Sequence, residues 1–367
     1  MSNDPNLENT NPTLKDFRDQ LTKPITLFGP CSAESELQVL ETARLIAERF
    51  PKNIFRAGVW KPRTRPGSFE GAGDPALQWL SAAGKETGMP VITEVATTQH
   101  VEACLNAGID MLWIGARTTV NPFAVQEIAD ALKGTNIPVF VKNPINPDLS
   151  LWMGAIERLQ KAGIDQVLAI HRGFHSFETD VYRYAPRWEI VIDLKTRMPD
   201  LKVICDASHI SGDPVLIPSV AQKALDLDLD GLMIETHINP AIALSDAKQQ
   251  ITPAVLHTLF EGLVFRKADA DDKDFHRKLL ELRSRVDSTD DLLLQALITR
   301  MNLIRQIGDF KKDKQLTILQ IRRWEEILTR QLEHGIGSGL DGVFVKKLYE
   351  LIHEESIRIQ TDLFRNA

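Results

Sequence analysis

Short runs of β-branched and aromatic residues recur along the first part of the chain, at Ile25–Phe28, Ile54–Ala57, Val91–Thr93, Met111–Ile114, Val139–Val141, Val167–Ile170, Val203–Cys205 and Leu232–Ile234. Helical patterning fills most of the gaps, at Glu36–Arg49, Ala76–Thr87, Pro122–Leu132, Leu151–Ala162 and Pro218–Leu225. Alternation of this kind marks repeated βα units and a parallel sheet, hence an α/β fold. Eight units in about 240 residues match a (β/α)8 TIM barrel better than a doubly wound sheet, which commonly uses five or six strands. The GxGxxG fingerprint frequent after the first strand of a doubly wound sheet is missing after Ile25–Phe28.

The pattern changes after Phe265. The segment RKADADDKD is charged and poor in apolar residues, and reads as a linker or an exposed helix entry. From Asp274 to Lys312 there is no proline, Gly308 is the only glycine, and Leu279, Leu282, Val286, Leu293, Leu297 and Ile304 recur at helical spacing. A helix of about 40 residues is about 60 Å long, wider than a monomeric domain of this size. Its apolar positions need partners outside their own fold, and an interlocked homodimer supplies them. A second helix is expected over Leu319–Glu333, ending before His334 and Gly335, and a third over Asp341–Phe364, after the GIGSG loop. The organisation expected is a barrel over 1–265, a linker over 266–274 and an all-α helical domain over 275–367.

A chain of 367 residues exceeds one ordinary core, in keeping with two domains. With 43% hydrophobic and 25% charged residues and a net charge of −7, the composition is that of a soluble globular protein and argues against nucleic acid as a partner. Cys31, Cys104 and Cys205 are odd in number and widely spaced, which speaks for a reducing compartment rather than a disulfide scaffold. The first residues are polar without an apolar core behind a cationic start, and no window approaches a membrane span, so a cytoplasmic protein is expected.

Candidate chemistry concentrates after the second run, where Arg56, Lys61, Arg63 and Arg65 fall within ten positions on a loop broken by Pro62, Pro66 and glycines. Such a loop suits a phosphate or a carboxylate, although four charges alone are equally a solvated basic loop. In a barrel, chemistry sits just past the C-terminal ends of the strands. The residues that follow the runs are Cys31, the Arg56 to Arg65 loop, Glu94, Arg117, Lys142, His171 with Arg172, Asp206 with His209, and Glu235 with His237. Scattered surface charges would not be phased this way. The basic members suffice for more than one anionic group. Cys31, His209, Glu235 and Asp246 offer soft, borderline and hard donors to one divalent metal. Taken singly, Cys31 is a small buried residue, His209 a satisfied loop histidine, and Asp246 the N-cap of a helix starting at Ala247, the favoured reading for that residue alone.

The motifs GPCSAE, KPRT, GAR, VKNP, HRGF, DASH, MIETH and LSDAKQQ, in this order from about Thr26 to Thr252, resemble 3-deoxy-D-arabino-heptulosonate 7-phosphate (DAHP) synthase of the type I beta group, the first enzyme of the shikimate pathway. The resemblance implies a barrel condensing phosphoenolpyruvate with erythrose 4-phosphate. It implies that Cys31, His209, Glu235 and Asp246 bind a divalent metal, Mn2+ foremost. Arg56, Lys61, Arg117, Lys142 and Arg172 would hold phosphoenolpyruvate, and Arg63 and Thr64 the sugar phosphate. Lys61 is the expected proton donor near the aldehyde oxygen, a purely electrostatic role fitting equally. Arg65 and His171 receive no role.

In the helical segment, Arg300 and Lys311 lie within about 20° on one face. Arg283 is about 25 Å from Arg300 along the axis, so a ligand shared by both needs Arg283 from a partner chain. Ser356 and Gln360 face one way. On spacing alone these are ordinary solvated helix residues. The stretches LLELRSRVDSTDDLLLQALITR, IGDFK, IRRWEEIL and IHEESIRIQ resemble the all-helical AroQ-type chorismate mutase over about His276 to Gln360. By motif, Arg283, Arg300, Lys311, Arg323, Ser356 and Gln360 take substrate-binding positions for the rearrangement of chorismate to prephenate, with Lys311 and Gln360 on the ether oxygen. Trp324 stands where that family commonly has glutamate, and Glu325 or Glu326 is the nearest substitute. The reading is a bifunctional enzyme with feedback by prephenate or chorismate. An alternative keeps the synthase and makes the helical domain a regulatory binding and dimerisation module. A third is a related barrel using another sugar phosphate, such as arabinose 5-phosphate, against which KPRT stands.

Overall fold

The computed structural model describes residues 21–61, 67–176, 181–266 and 272–365. Its strands are β1 (Ile25–Gly29), β2 (Ile54–Arg56), β3 (Val91–Val95), β4 (Met111–Ile114), β5 (Val139–Lys142), β6 (Val167–His171), β7 (Val203–Asp206) and β8 (Gly231–Glu235). All neighbours pair in parallel and the sheet closes on itself in sequence order. The closing register runs from Ile25 opposite Gly231 to Gly29 opposite Glu235. Because side chains alternate across a strand, one parity fills the barrel and the other faces the helices. Leu27, Ile54, Ile92, Trp113, Phe140, Ile170 and Met233 form the inner cluster. Phe28, Phe55, Val91, Leu112, Val141 and Val203 belong to the cluster packed beneath the helices.

Those helices are α1 (Glu36–Ala47), α2 (Asp74–Thr87), α3 (Thr98–Ala107), α4 (Pro122–Ala131), α5 (Leu149–Lys161), α6 (Trp188–Arg197), α7 (Ile217–Asp226) and α8 (Pro253–Glu261), one after each strand. Several start where an N-cap side chain accepts from the first turn: Ser35 from Gln38 N–H, Asp148 from Leu151 N–H and Thr252 from Val255 N–H. One-turn helices lie at Ala116–Thr119 and Ala207–Ser211. Four strands run past the apolar limits expected for them to end on Lys142, His171, Asp206 and Glu235, while β2 ends on Arg56, one residue short of its expected limit. The backbone ladder is indifferent to side-chain polarity, so the polar rim is built into the sheet and inherits its rigidity.

The chain forms two compact units, Met1–Ala268 and Asp269–Ala367. The second unit holds α9 (Lys273–Asp313), α10 (Ile321–Gly337) and α11 (Gly342–Arg365), with both others packed on α11. At 41 residues α9 is about 60 Å long, as its pattern predicts. One expectation fails here: α10 does not stop before His334 but continues to Gly337. Gly335 is there for a close approach, since a Cβ would meet Val345 Cγ2 at 2.7 Å. Among the described residues, no helix is long and apolar enough to cross a membrane.

Candidate active site

Two cations from strand ends each meet a carboxylate from two strands away around the barrel. Arg56 Nη1 donates to Glu235 Oε1 at 3.0 Å, and Nη2 donates to the Cys31 carbonyl at 3.0 Å. Lys142 Nζ donates to Asp206 Oδ2 at 2.9 Å. Both cations lie over Trp113, at 4.9 and 5.5 Å from its ring, and the indole N–H is held by Glu94 at 2.9 Å. Charge in such a site is fixed by mutual contact. Burial works to raise the Glu235 and Asp206 carboxyls, but His209 beside both, with Arg56 beside Glu235 and Lys142 beside Asp206, holds them below the ordinary range.

Cys31, Glu235 and Asp246 present ligand atoms that all lie within 4.8 Å of one another. Each is oriented by neighbours. Gln250 accepts the Cys31 N–H at 2.9 Å, Gln249 Nε2 donates to Glu235 Oε2 at 2.6 Å, and Arg183 donates to Asp246 Oδ1 at 3.2 Å. Asp246 has a left-handed backbone, φ 45°, and its side chain makes no helix cap, so the favoured reading of it as a capping residue does not hold. Its Oδ2 faces the Cys31 thiol at 3.4 Å instead. Burial, and then Glu235, pushes that thiol up to about 12, against the pull of Lys61, whose Nζ is 3.0 Å from the sulfur. A soft donor beside two hard ones at this spacing fits a divalent cation.

His209 lies outside that trio. It sits on the one-turn helix Ala207–Ser211, with Nδ1 2.9 Å from Asp206 Oδ2, off hydrogen-bond alignment, and 3.8 Å from Glu235 Oε1. Burial lowers its imidazole, opposed by Asp206 and Glu235. Arg172 is buried just past β6, its guanidinium 3.5 Å from the Tyr184 ring, and Nη1 finds no hydrogen-bond partner among the described residues. Arg117 is exposed on Ala116–Thr119; burial works to raise the Tyr184 hydroxyl, but Arg172, then Arg183 and Arg117, hold it below its ordinary range. Arg63, Thr64 and Arg65 lie outside the described residues. His171 points among Trp152, Phe174 and Trp188 rather than into the mouth.

Sequence reasoning gave no role to Asp206, Arg183, Tyr184 or Gln249. Asp206 stood in the rim series and Gln249 in LSDAKQQ, so both carried a signal; Arg183 and Tyr184 lie in an irregular connection that offers none.

In the second unit, Arg300 Nη1 donates to Ser356 Oγ at 2.7 Å, joining α9 to α11. Gln360 donates to the Ser356 carbonyl at 3.2 Å, and its buried Oε1 has no partner among the described residues. Gly308 packs against Gln360, and Lys311, one turn on, donates to the Ile318 carbonyl. Burial lowers both Arg300 and Lys311. Within one chain Arg283 lies about 25 Å along α9 from Arg300. Arg283 is exposed far along α9, and Arg323 is exposed and paired with Glu326 at 3.0 Å. Trp324 stacks on His353 of α11, the rings 4.0 Å apart.

A closed parallel barrel whose strand ends bring buried cations against a thiol and two carboxylates has the arrangement of an enzyme barrel, with donors that could hold a divalent metal. Comparison with known proteins makes this specific. The sequence model of the DAHP synthetase I family matches residues 19–266, and that of chorismate mutase type II matches residues 282–361. The chain belongs to the DAHP synthetase I family and carries a C-terminal chorismate mutase domain. It is 30% identical over 225 residues to phospho-2-dehydro-3-deoxyheptonate aldolase of Thermotoga maritima, covering 61% of this chain and 64% of that one. It is also 29% identical over 254 residues to 2-dehydro-3-deoxyphosphooctonate aldolase of Acidithiobacillus ferrooxidans, covering 63% and 85%. The crystal structure of the Thermotoga maritima DAHP synthase superposes with a TM-score of 0.58 at 26% identity, covering 65% of this chain and 68% of that one.

Proposed function

We propose that the chain is bifunctional: the barrel, over 1–265, condenses phosphoenolpyruvate with erythrose 4-phosphate to DAHP and phosphate, and the helical domain, over 275–367, rearranges chorismate to prephenate. The observation that carries the first activity is the convergence of Cys31, Glu235 and Asp246 beside Arg56, Lys61, Lys142 and Arg172. Those three ligands, with His209 one step away at Glu235, would hold a divalent ion such as Mn2+. When bound, the ion supplies Lewis acidity to the aldehyde. Arg56, Lys61, Arg117, Lys142 and Arg172 hold the phosphate and carboxylate of phosphoenolpyruvate, and Arg63 and Thr64 take the sugar phosphate, so that two mutually repelling anions sit in attack geometry. Burial works to strip the Lys61 ammonium of its proton, but the charges around it, Glu235 among them, hold it above its ordinary range, leaving a donor for the alkoxide formed at the aldehyde.

For the mutase, Arg300, part-buried where α9 meets α11, supports a pocket for an acidic substrate, with Lys311, Ser356, Gln360, Arg323 and Arg283 completing it. Arg283 comes from a second copy, because α9 is one continuous helix. The exposed Leu292, Leu293, Leu294 and Ile298 of α9 support a homodimer through this domain. Prephenate or chorismate held there feeds back on the synthase. Three buried free cysteines fit a cytoplasmic enzyme.

A second reading, of the helical domain as a regulatory module, draws on Trp324, which stacks on His353 in place of an expected acid. Assay of both activities on the intact chain, with prephenate added to the synthase reaction, tests these readings. Condensation and mutase turnover together support the first. Condensation inhibited by prephenate without turnover of chorismate leaves the second. Use of arabinose 5-phosphate in preference to erythrose 4-phosphate overturns the acceptor.

A further inference from the structure

We infer that Arg183 is a positioning residue for the metal ligands, acting on Asp246 directly and on Glu235 through the side-chain amide of Gln249, an inference that rests on the synthase reading. One atom serves both arms. Arg183 Nη1 donates to Asp246 Oδ1 at 3.2 Å and also to Gln249 Oε1. Such a guanidinium nitrogen carries two N–H groups, one for each acceptor. With Oδ1 taken, it is Asp246 Oδ2 that faces Cys31 Sγ, at 3.4 Å. The same contact decides which way the buried Gln249 amide points. Its oxygen is drawn to the cation, so its nitrogen turns the other way, where it donates to Glu235 Oε2 at 2.6 Å. The reverse orientation would set N–H against guanidinium and carbonyl oxygen against carboxylate, both repulsive. Arg183 thereby orients two of the three grouped donors from one side.

The backbone of Arg183 is itself anchored. Its N–H donates to the Ser211 carbonyl at 3.3 Å, and the Tyr184 N–H donates to the Ile210 carbonyl at 3.2 Å. Both acceptors belong to the one-turn helix Ala207–Ser211, which also carries His209. Gly212 ends that helix at φ 66°, and a Cβ there would collide with Arg183 Cβ, so the arginine lies directly against the turn. A stabilising role is a poor account of the contact with Asp246. The two side chains are 41% and 20% exposed, and a pair that open adds little to stability. Orientation has a different consequence. A ligand released to rotate must be ordered again whenever a cation binds, so loss of its outer partner is paid in metal affinity. The positive charge of Arg183 acts in the opposite sense, repelling a divalent cation. Gln249 is neutral, and its arm isolates orientation from charge.

The test is Mn2+ binding to the intact, metal-stripped chain by titration calorimetry, for wild type, Arg183→Ala, Arg183→Lys, Gln249→Leu and the double variant Arg183→Ala with Gln249→Leu. Thermal unfolding in chelator checks that each variant is folded. Arg183→Ala is expected to raise the Mn2+ Kd about tenfold or more, with an unfolding midpoint in chelator close to that of wild type. Arg183→Lys keeps the charge but lacks the planar fork, and should fall between the two. Gln249→Leu should also raise the Kd, and the double variant by less than the product of the single effects, because part of the action of Arg183 passes through Gln249. If Arg183→Ala does not fold, Arg183→Lys and Gln249→Leu carry the test. An unchanged or lowered Kd in the folded variants at either position, or effects that multiply in full, would overturn the inference. Wild type that binds no Mn2+, or Cys31→Ala that binds it as wild type does, would instead sink the ligand assignment, and the inference with it.

Discussion

Arg56 Nη1 and Glu235 Oε1 meet at 3.0 Å with both side chains withdrawn from solvent, joining the second strand of the barrel to the eighth. Removing one partner of such a pair leaves the other as a buried, uncompensated charge. Glu235→Gln is therefore expected to destabilise the barrel by about 3–5 kcal/mol. Urea unfolding with chelator present isolates this from any loss of metal, and an unchanged midpoint would show that the pair contributes nothing.

Metal removal separates the two activities. Chelation is expected to abolish condensation and leave chorismate turnover intact, because Cys31, Glu235 and Asp246 all lie in the first unit. Cys31→Ala should reduce bound metal, measured by elemental analysis, and condensation by about 10²-fold or more. Full condensation by metal-free enzyme defeats the ligand assignment.

His171 makes acid stability testable. Burial drives its imidazole down to about 3, against the Pro186 carbonyl, while an unfolded histidine titrates near 6.5. Between those values the unfolded chain binds the extra proton, so this residue's contribution to stability is complete above about pH 6.5 and falls as pH drops toward 3. The slope it adds is at most about 1.4 kcal/mol per pH unit. His171→Phe should flatten the loss of stability between about pH 6 and pH 4; an unaltered slope in denaturant titrations across that range would contradict the assignment.

The helical unit is expected to act as a dimer. Leu293 is 59% exposed on α9, and Leu293→Asp should give a monomer in sedimentation together with loss of mutase activity. A monomeric wild type with full mutase turnover would remove the need for a partner's Arg283.

Arg300 gives a sharper test of the mutase pocket itself. Its contact with Ser356 Oγ at 2.7 Å places a guanidinium on α11. Arg300→Ala is expected to lower kcat/KM for chorismate by about 10²-fold or more while condensation persists. Arg300→Lys should not restore it, because a bidentate grip on a carboxylate needs the planar fork.

Much of this protein could be read before any fold was known, for reasons that particular residues make plain. Lys142, Asp206 and Glu235 each end a short apolar run, so their place on one rim followed from counting strands. The continuity of α9 was visible because nothing between Asp274 and Lys312 interrupts a helix except Gly308. Gly335 misled, since a glycine that admits Val345 looks in sequence like one that ends a helix. Asp246 was legible as a candidate ligand only in company, because alone it resembles a cap. His209 was grouped with the trio on the strength of its strand, yet its ring turns to Asp206.

The amino-acid sequence by itself determined the eightfold alternation, the polar residue at each strand end and the long unbroken helix, because period and propensity act over a few neighbouring residues. Which cation meets which carboxylate was decided only in three dimensions. Arg56 and Glu235 are 179 positions apart, and Arg183 and Asp246 are 63 apart. Nothing local along the chain records those distances; the first follows from the pairing of β1 with both β2 and β8, and the second from the meeting of the connections that follow β6 and β8.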